Sequence, residues 1–228
     1  MADKVYVTKN KLTAIADAIR TKGGTSAALT LDQMPAAVNA IPSGGGEDYL
    51  AYRIGRDTPY RYENSQVNQV KKHSFYSDWY LSHISLPAVT IISEAAFYNT
   101  IALTEAVEFP ELTYVENEAF CGSAITSFRA PKISTIMPDA FKYCEAITVD
   151  LGSTDRTNTI TIYGNAFNNA KIQTLIIRNN AVSTLYGKST MSYLTGIYVP
   201  DSLVDSYKAA TNWSAYADKI KPLSEYTA

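Results

Sequence analysis

The chain has 228 residues, of which 46% are hydrophobic and 18% charged, and its formal net charge is −2. This length fits one or two domains, and the charge balance excludes a strongly basic nucleic-acid binder and an acidic disordered tail. No apolar run reaches the roughly 18 residues of a membrane span, and the first residues lack the basic and apolar regions of a secretory signal.

Residues 1–43 are predicted to form two short helices. Leu12, Ile15 and Ile19 recur on one helical face, and Thr30 with Gln33 forms a capping box for the second helix. Two helices of this size bury little surface, so we expect the segment to dock on another protein or on copies of itself. The Gly-rich stretch 44–47 is a predicted linker.

An internal repeat occupies the middle of the chain. Four segments end in an Ala-Phe pair, at Phe97, Phe120, Phe141 and Phe167, and degenerate copies place Phe75 and Thr190 at the same point. The spacings are 22, 23, 21, 26 and 23 residues. The longer spacing is explained by a predicted loop insertion at 152–158, which leaves the strand register unchanged.

Each copy also contains a strand-like stretch with the pattern apolar-x-x-apolar-x-apolar, as in Ile125–Ala130. One copy cannot bury its own apolar face, whereas stacked copies share one continuous core. The sequence therefore predicts a solenoid of six coils, about 25–30 Å long at the usual strand spacing of about 4.8 Å.

The coil resembles the BspA-like leucine-rich repeat, and the closest copy is Ala140–Ile147. The resemblance implies an α/β repeat solenoid, a right-handed coil with one parallel strand per repeat, over residues 48–200 including an N-terminal cap. Residues 201–228 resemble the helical C-terminal cap of that family, with Tyr207, Trp213 and Ile220 closing the end.

The N-terminal segment resembles a short module in tail proteins of phages and prophages of Gram-positive bacteria. The likeness rests on Leu12–Arg20, a Gly pair, Leu31–Met34 and the Gly-rich linker, in that order. It implies that residues 1–43 attach the chain to other tail proteins. Oligomeric state stays open, with a trimer and a monomer both compatible with the sequence.

Catalytic and metal-binding motifs were sought without success. His73 and His83 are too isolated for a metal site, and Cys121 and Cys144 are interpreted as small core residues. The acidic pairs Glu116/Glu118 and Asp201/Asp205 are interpreted as turn and cap residues. We therefore predict no enzyme activity, no cofactor, no metal and no nucleic-acid partner.

The candidate site is the concave face, to which the strand residues between the buried ones contribute two rows. The first row is Ser85, Glu108, Arg129, Asp150, Ile176 and Tyr198. The second row is His83, Ala106, Ser127, Thr148, Thr174 and Gly196. Glu108, Arg129 and Asp150 should form a ladder of alternating charge, which either binds a ligand or serves only as cross-strand ion pairs.

Together these observations predict a non-enzymatic binding protein, a phage or prophage tail component that contacts a glycan or protein of the bacterial surface and is located in the virion tail. A bacterial surface adhesin, a purely structural spacer and, remotely, a cell-wall hydrolase are the alternatives. A basic cluster before and within the first coil is interpreted as a solvated surface, with a site for an anionic polymer such as teichoic acid as the alternative. Its members are Arg53, Arg56, Arg61, Lys71 and Lys72.

Overall fold

The computed structural model describes residues 59–187 and 189–227. The longer strands are β1 (Tyr60–Glu63), β3 (Leu81–Ser85), β5 (Ala106–Glu108), β7 (Ser127–Ala130), β9 (Thr148–Leu151), β11 (Thr174–Ile177), β13 (Gly196–Val199) and β14 (Ile220–Pro222). The shorter strands are β2 (Gln69–Val70), β4 (Ile91–Ile92), β6 (Tyr114–Val115), β8 (Thr135–Ile136), β10 (Thr161–Ile162) and β12 (Thr184–Leu185). The predicted module at 1–43, the linker 44–47 and the start of the N-terminal cap lie outside the described residues.

The strands form parallel sheets that run along a solenoid. The short-strand sheet has the order β12-β10-β8-β6-β4-β2, and the long-strand sheet has the order β14-β13-β11-β9-β7-β5. β1 and β3 form a separate parallel pair. The predicted solenoid is confirmed, and each complete coil carries a second, two-residue strand in addition to the predicted one.

A column of stacked phenylalanines fills the core. Successive rings lie 5.0, 5.1, 5.2 and 5.5 Å apart between centroids, in the order Phe75, Phe97, Phe120, Phe141 and Phe167. The amides of the first four column residues donate to the carbonyl of the next coil's Ala, as from Phe97 to Ala119 at 2.7 Å. These alanines are fully buried, since a larger side chain has no room between coils.

Two positions in each coil have left-handed backbone, with φ between 50° and 65°. They lie two residues before and two residues after the Phe of the column. The earlier position holds His73, Ala95, Glu118, Asp139 and Asn165, and the later one holds Ser77, Asn99, Gly122, Tyr143 and Asn169. This conformation is unfavourable for most L-residues, so the coil requires the bend at both points even where the residue type resists it.

The insertion at 152–158 forms a loop held by the buried side chain of Asn179. Asn179 Oδ1 accepts from the Ser153 amide at 3.0 Å, and its Nδ2 donates to the Asn158 carbonyl at 2.7 Å. Gly152 has φ 76°, and a Cβ there would lie 1.9 Å from Asn179 Oδ1. β9 and β11 stay paired, with Leu151 opposite Ile177. The insertion therefore leaves the register intact, as predicted.

A C-terminal segment covers the last coil. It contains α1 (Val204–Ala209) and 3-10 turns at Asp201–Leu203, Trp213–Lys219 and Leu223–Glu225. Its side chains replace the missing next coil as hydrogen-bond partners of the edge: Trp213 Nε1 donates to the Ser183 carbonyl at 2.7 Å and Asn212 Nδ2 to the Leu185 carbonyl at 2.7 Å. The edge of the short-strand sheet is thus closed without another strand.

Candidate binding surface

Strand pairing in the long-strand sheet aligns most residues of the two predicted rows. Parallel pairing aligns Glu108 with Arg129, Arg129 with Asp150, and Ile176 with both Asp150 and Tyr198. The second row aligns in the same register and comprises Ala106, Ser127, Thr148, Thr174 and Gly196. His83 and Ser85 lie on β3, which pairs with β1 instead of β5.

The predicted charge ladder is present. Arg129 Nη1 lies 2.8 Å from Asp150 Oδ2, and Arg129 Nε lies 3.5 Å from Glu108 Oε1. Arg178 extends the ladder, because its Nε and Nη2 donate to the two Asp150 oxygens at 2.7 and 2.8 Å. This bidentate hydrogen bonding raises the pKa of Arg178 above its ordinary value. Two guanidinium groups thus hold one carboxylate, whose side chain is only 13% exposed.

Sequence reasoning missed Arg178, which comes one residue after β11 ends. Only the pattern positions inside the strands were considered, whereas this side chain reaches the neighbouring strand across 28 residues of sequence. The one available signal was a long cation two residues beyond Ile176, on the same side of an extended chain.

Two predicted surface positions, Gly196 and Ile176, are wrong. Gly196 is buried, and Ile176 is only 1% exposed. Ile176 lies in the row between Asp150 and Tyr198, and the Arg178–Asp150 pair flanks it on one side. On the other side Tyr198 packs against Tyr226, with ring centroids 5.1 Å apart. With these groups aligned on both sides, the Ile176 side chain has almost no access to solvent.

Gly196 is buried beneath the same tyrosine. A Cβ at Gly196 would lie 2.8 Å from Cε2 of the Tyr198 ring, so the glycine is required for the ring to lie flat across the strand. The last coils of the outer face are consequently filled by the ring of Tyr198 and its neighbours. The hydroxyl-lined centre at Ser127, Thr148 and Thr174 is half-buried.

The sheet is interrupted between β3 and β5 by a side chain. Glu105 Oε1 accepts from the Ile84 amide at 3.0 Å, where a neighbouring strand would otherwise supply a carbonyl. Its Oε2 lies 2.8 Å from His83 Nδ1, and His83 Nε2 lies 3.3 Å from Glu63 Oε1. Glu105 thereby joins the β1–β3 pair to the rest of the face through a carboxylate.

The comparison with known families gives a clear result. The family described as BspA type leucine rich repeat region matches residues 68–191, in six copies. The chain belongs to this family. No curated protein matches the chain. BspA-type solenoids are typically non-catalytic, and their repeats suggest binding to proteins or surfaces in general.

The sequence prediction did not include the six residues that directly precede the second row. They are Ser82, Glu105, Thr126, Ile147, Gln173 and Thr195. The last four of these are exposed. The signal was present, because the repeat has two non-apolar positions between its first two apolar ones, and only the later one was assigned to the face.

The remaining reactive side chains have structural surroundings. Burial raises the pKa of both Cys121 and Cys144 to about 11, so neither thiol is an activated nucleophile. The predicted turn role of Glu116 fits its Oε2, which accepts from the Glu94 amide at 2.8 Å. Asp201 likewise accepts from the Ser224 amide at 3.1 Å, and hydrogen bonds from Ser224 lower its pKa.

Residues 59–187 and 189–227 contain neither a cluster of metal ligands nor a membrane-spanning helix. In these ranges no three His, Cys, Asp or Glu side chains cluster as metal ligands would. The same ranges contain no helix with the length and hydropathy of a membrane span.

The described basic residues near the first coil have polar or acidic partners. Arg61 lies 3.0 Å from Glu63, Lys71 Nζ donates to Gln69 at 2.7 Å, and Lys72 lies 2.8 Å from Glu94. Hydrogen bonding to Lys72 lowers the pKa of Glu94. This pairing favours the solvated surface over a site for an anionic polymer.

Proposed function

We propose that this BspA-type repeat protein is a non-enzymatic binding protein of a phage or prophage tail, and that it contacts the bacterial surface. In this proposal the outer face of the long-strand sheet is the contact surface, and residues 1–43 hold other tail proteins. The binding part follows from the family, while the tail location rests on the resemblance of the N-terminal segment.

The supporting observation is the exposed ladder on the outer face. Glu108 and Arg129 keep 58% and 37% of their side-chain area exposed although they are aligned on neighbouring strands. Their pair is loose, at 3.5 Å, so both groups retain hydrogen-bonding capacity for a partner. Polar groups presented in register by a rigid sheet bind a partner at little cost in conformational entropy.

A structural spacer is the second candidate, and the Asp150 site favours it. Because Arg129 and Arg178 already share the Asp150 carboxylate, this part of the ladder is satisfied within the chain. A spacer would need these bonds for stability and would bind nothing through them.

A cell-binding experiment with the full chain distinguishes the surface-binding protein from the structural spacer. The fluorescently labelled protein is incubated with a panel of intact Gram-positive bacteria, and again after the cells are stripped of wall teichoic acid or treated with protease. Selective, saturable binding supports the proposal, and the treatment that abolishes it identifies the ligand class. Absence of binding across the panel supports the spacer.

A pair of charge reversals locates the contact. Arg129→Glu is expected to abolish cell binding, because it reverses the centre of the ladder. Lys132→Glu is the matched control, since Lys132 is a similarly exposed cation, 47%, that pairs with Glu111 outside the ladder. Equal loss in both variants would contradict the assignment of the outer face.

A further inference from the structure

The first two complete coils expose large apolar side chains next to the outer face. Trp79 is 57% exposed, Ile101 is 52% exposed and Tyr80 is 36% exposed. A tryptophan exposed to this extent is uncommon on a folded domain, and grouped exposed apolar residues mark interaction surfaces.

The repeat places Trp79 and Ile101 side by side. Each lies four residues after a column residue, Phe75 or Phe97, and these two rings stack at 5.0 Å. Their backbones are therefore about one strand spacing, ~4.8 Å, apart. The equivalent residue of the next coil is Ala124, so the patch ends there. We call Trp79, Tyr80 and Ile101 the aromatic rim.

The backbone of the aromatic rim is fixed by hydrogen bonds. Asp78 Oδ1 accepts from the amides of Tyr80 and Leu81, both at 3.1 Å, and Asp78 Oδ2 accepts from the Tyr60 hydroxyl at 2.5 Å. Because Leu81 begins β3, these hydrogen bonds to Asp78 hold the backbone of the aromatic rim directly before that strand. A partner that covers Trp79 consequently orders little that is not already ordered.

Acidic side chains occupy the strands next to the aromatic rim. Glu63 and Glu108 are each 58% exposed and Glu105 is 31% exposed, on or just before β1 and β5. The basic groups of β1, β3 and β5 are Arg61 and His83. With Glu105, which lies just before β5, three carboxylates face one permanent cation of these strands; Arg61 pairs with Glu63, and Arg129 of β7 pairs with Glu108.

We propose that the aromatic rim and these carboxylates dock a basic polypeptide segment in an extended conformation. One Arg or Lys side chain of the segment lies on Trp79, and others further along it pair with Glu105 and Glu108. Guanidinium and ammonium groups are attracted to indole faces and pair with carboxylates, while their methylene stems cover apolar surface. An anionic glycan polymer would be repelled by the same carboxylates. This inference rests on the proposed binding function and specifies its partner as a protein.

Selection of peptides tests the chemistry directly. A random peptide library displayed on phage is panned against the full chain, and the affinities of enriched peptides are measured by fluorescence anisotropy. Enriched peptides are expected to carry Arg or Lys together with apolar residues. Trp79→Ser and Glu108→Lys are each expected to weaken their binding about tenfold or more, as truncation of a central contact does.

Matched variants serve as controls. Tyr186→Ser removes an aromatic side chain of similar exposure, 55%, at the opposite end of the solenoid, and Glu111→Lys reverses an exposed carboxylate outside these strands. Both are expected to bind the peptides as the unmodified chain does. Trp79→Ser is expected to be folded because the site is exposed, and circular dichroism of the variant checks this.

The outcomes separate this inference from the proposed function. Enrichment of acidic peptides, failure to enrich any, or binding that is insensitive to Trp79→Ser overturns the docking surface. If the full chain binds bacteria and Trp79→Ser binds them equally, the proposed function stands and this inference fails. If the chain binds no cells but binds basic peptides in a way that depends on Trp79, this inference stands and the proposed contact with the bacterial surface fails.

Discussion

Arg178 holds the carboxylate of Asp150 through two nitrogens, at 2.7 and 2.8 Å, from the adjacent strand of the long-strand sheet. The pair is the most enclosed part of the charge ladder, with side chains 26% and 13% exposed. Arg129 reaches the same carboxylate at 2.8 Å. The ladder therefore depends on Asp150, which keeps two guanidinium groups from facing each other unpaired.

Replacement of Asp150 by Ala should destabilise the solenoid. We expect a loss of about 1–3 kcal/mol in the free energy of unfolding, below the cost of breaking a fully buried pair because both arginines retain some access to water. Urea denaturation measures it. Glu111→Ala is the control, since it breaks an exposed pair with Lys132 and should cost less than about 1 kcal/mol. Equal losses would mean that the Asp150 cluster contributes no more than a surface ion pair.

The two thiols should be unreactive while the chain is folded. Burial raises the pKa of Cys121 and of Cys144 to about 11, so almost no thiolate exists at about pH 8. An aromatic disulfide reagent is expected to label neither residue in the native protein and both in denaturant, where the thiol pKa returns to about 8.5. A fast native phase would contradict this, and a Cys121→Ser variant would show which thiol causes it.

Tyr143→Asn should stabilise the protein. Tyr143 has φ 56°, a conformation that Asn accepts more readily, and the equivalent positions of two other coils hold Asn99 and Asn169. The expected gain is about 0.5–1 kcal/mol, seen as a rise in melting temperature. Tyr193→Asn is the matched control, because Tyr193 is equally exposed, 53% against 54%, and is not among the residues with positive φ. A comparable rise in both variants would mean that the exchange of an exposed aromatic ring for an amide, and not the relief of backbone strain, is the cause.

Trp213→Phe should lower the free energy of unfolding, because it weakens the attachment of the C-terminal segment to the last coil. The change removes the donor for the Ser183 carbonyl, now bound at 2.7 Å, and leaves that acceptor buried. Loss of about 1–3 kcal/mol is expected from the unsatisfied carbonyl. Trp79→Phe, at a site that is 57% exposed, should change the free energy of unfolding by less than about 0.5 kcal/mol. Chemical denaturation followed by circular dichroism compares the two variants. Similar free energies of unfolding would mean that the Trp213 hydrogen bond does not stabilise the attachment of the C-terminal segment.

The repeat made much of this fold predictable. The Ala-Phe pair fixes the coil register, so the alignment of Glu108, Arg129 and Asp150 could be predicted and is confirmed by their strand pairing. The insertion at 152–158 could likewise be placed, because it interrupts the spacing without altering the apolar positions on either side.

The features that could not be predicted depend on how far individual side chains extend. Periodicity gives the position of a backbone, but Arg178 extends to a neighbouring strand, and Ile176 has almost no access to solvent. The interruption between β3 and β5 arises in the same way, since the Glu105 carboxylate takes the place of a backbone acceptor. The two-residue strands were missed because a segment that short has no alternation to detect.

Along the phenylalanine column, successive coils are joined by the same amide-to-carbonyl hydrogen bond. Phe97 and Phe120 each present an amide to the Ala carbonyl of the following coil, at 2.7 Å in both cases. Unequal crossover between the gene segments for two such coils would therefore insert or delete a whole turn and leave matching donors and acceptors at the junction. Each such event would change the length of the long-strand sheet by one strand spacing, about 4.8 Å.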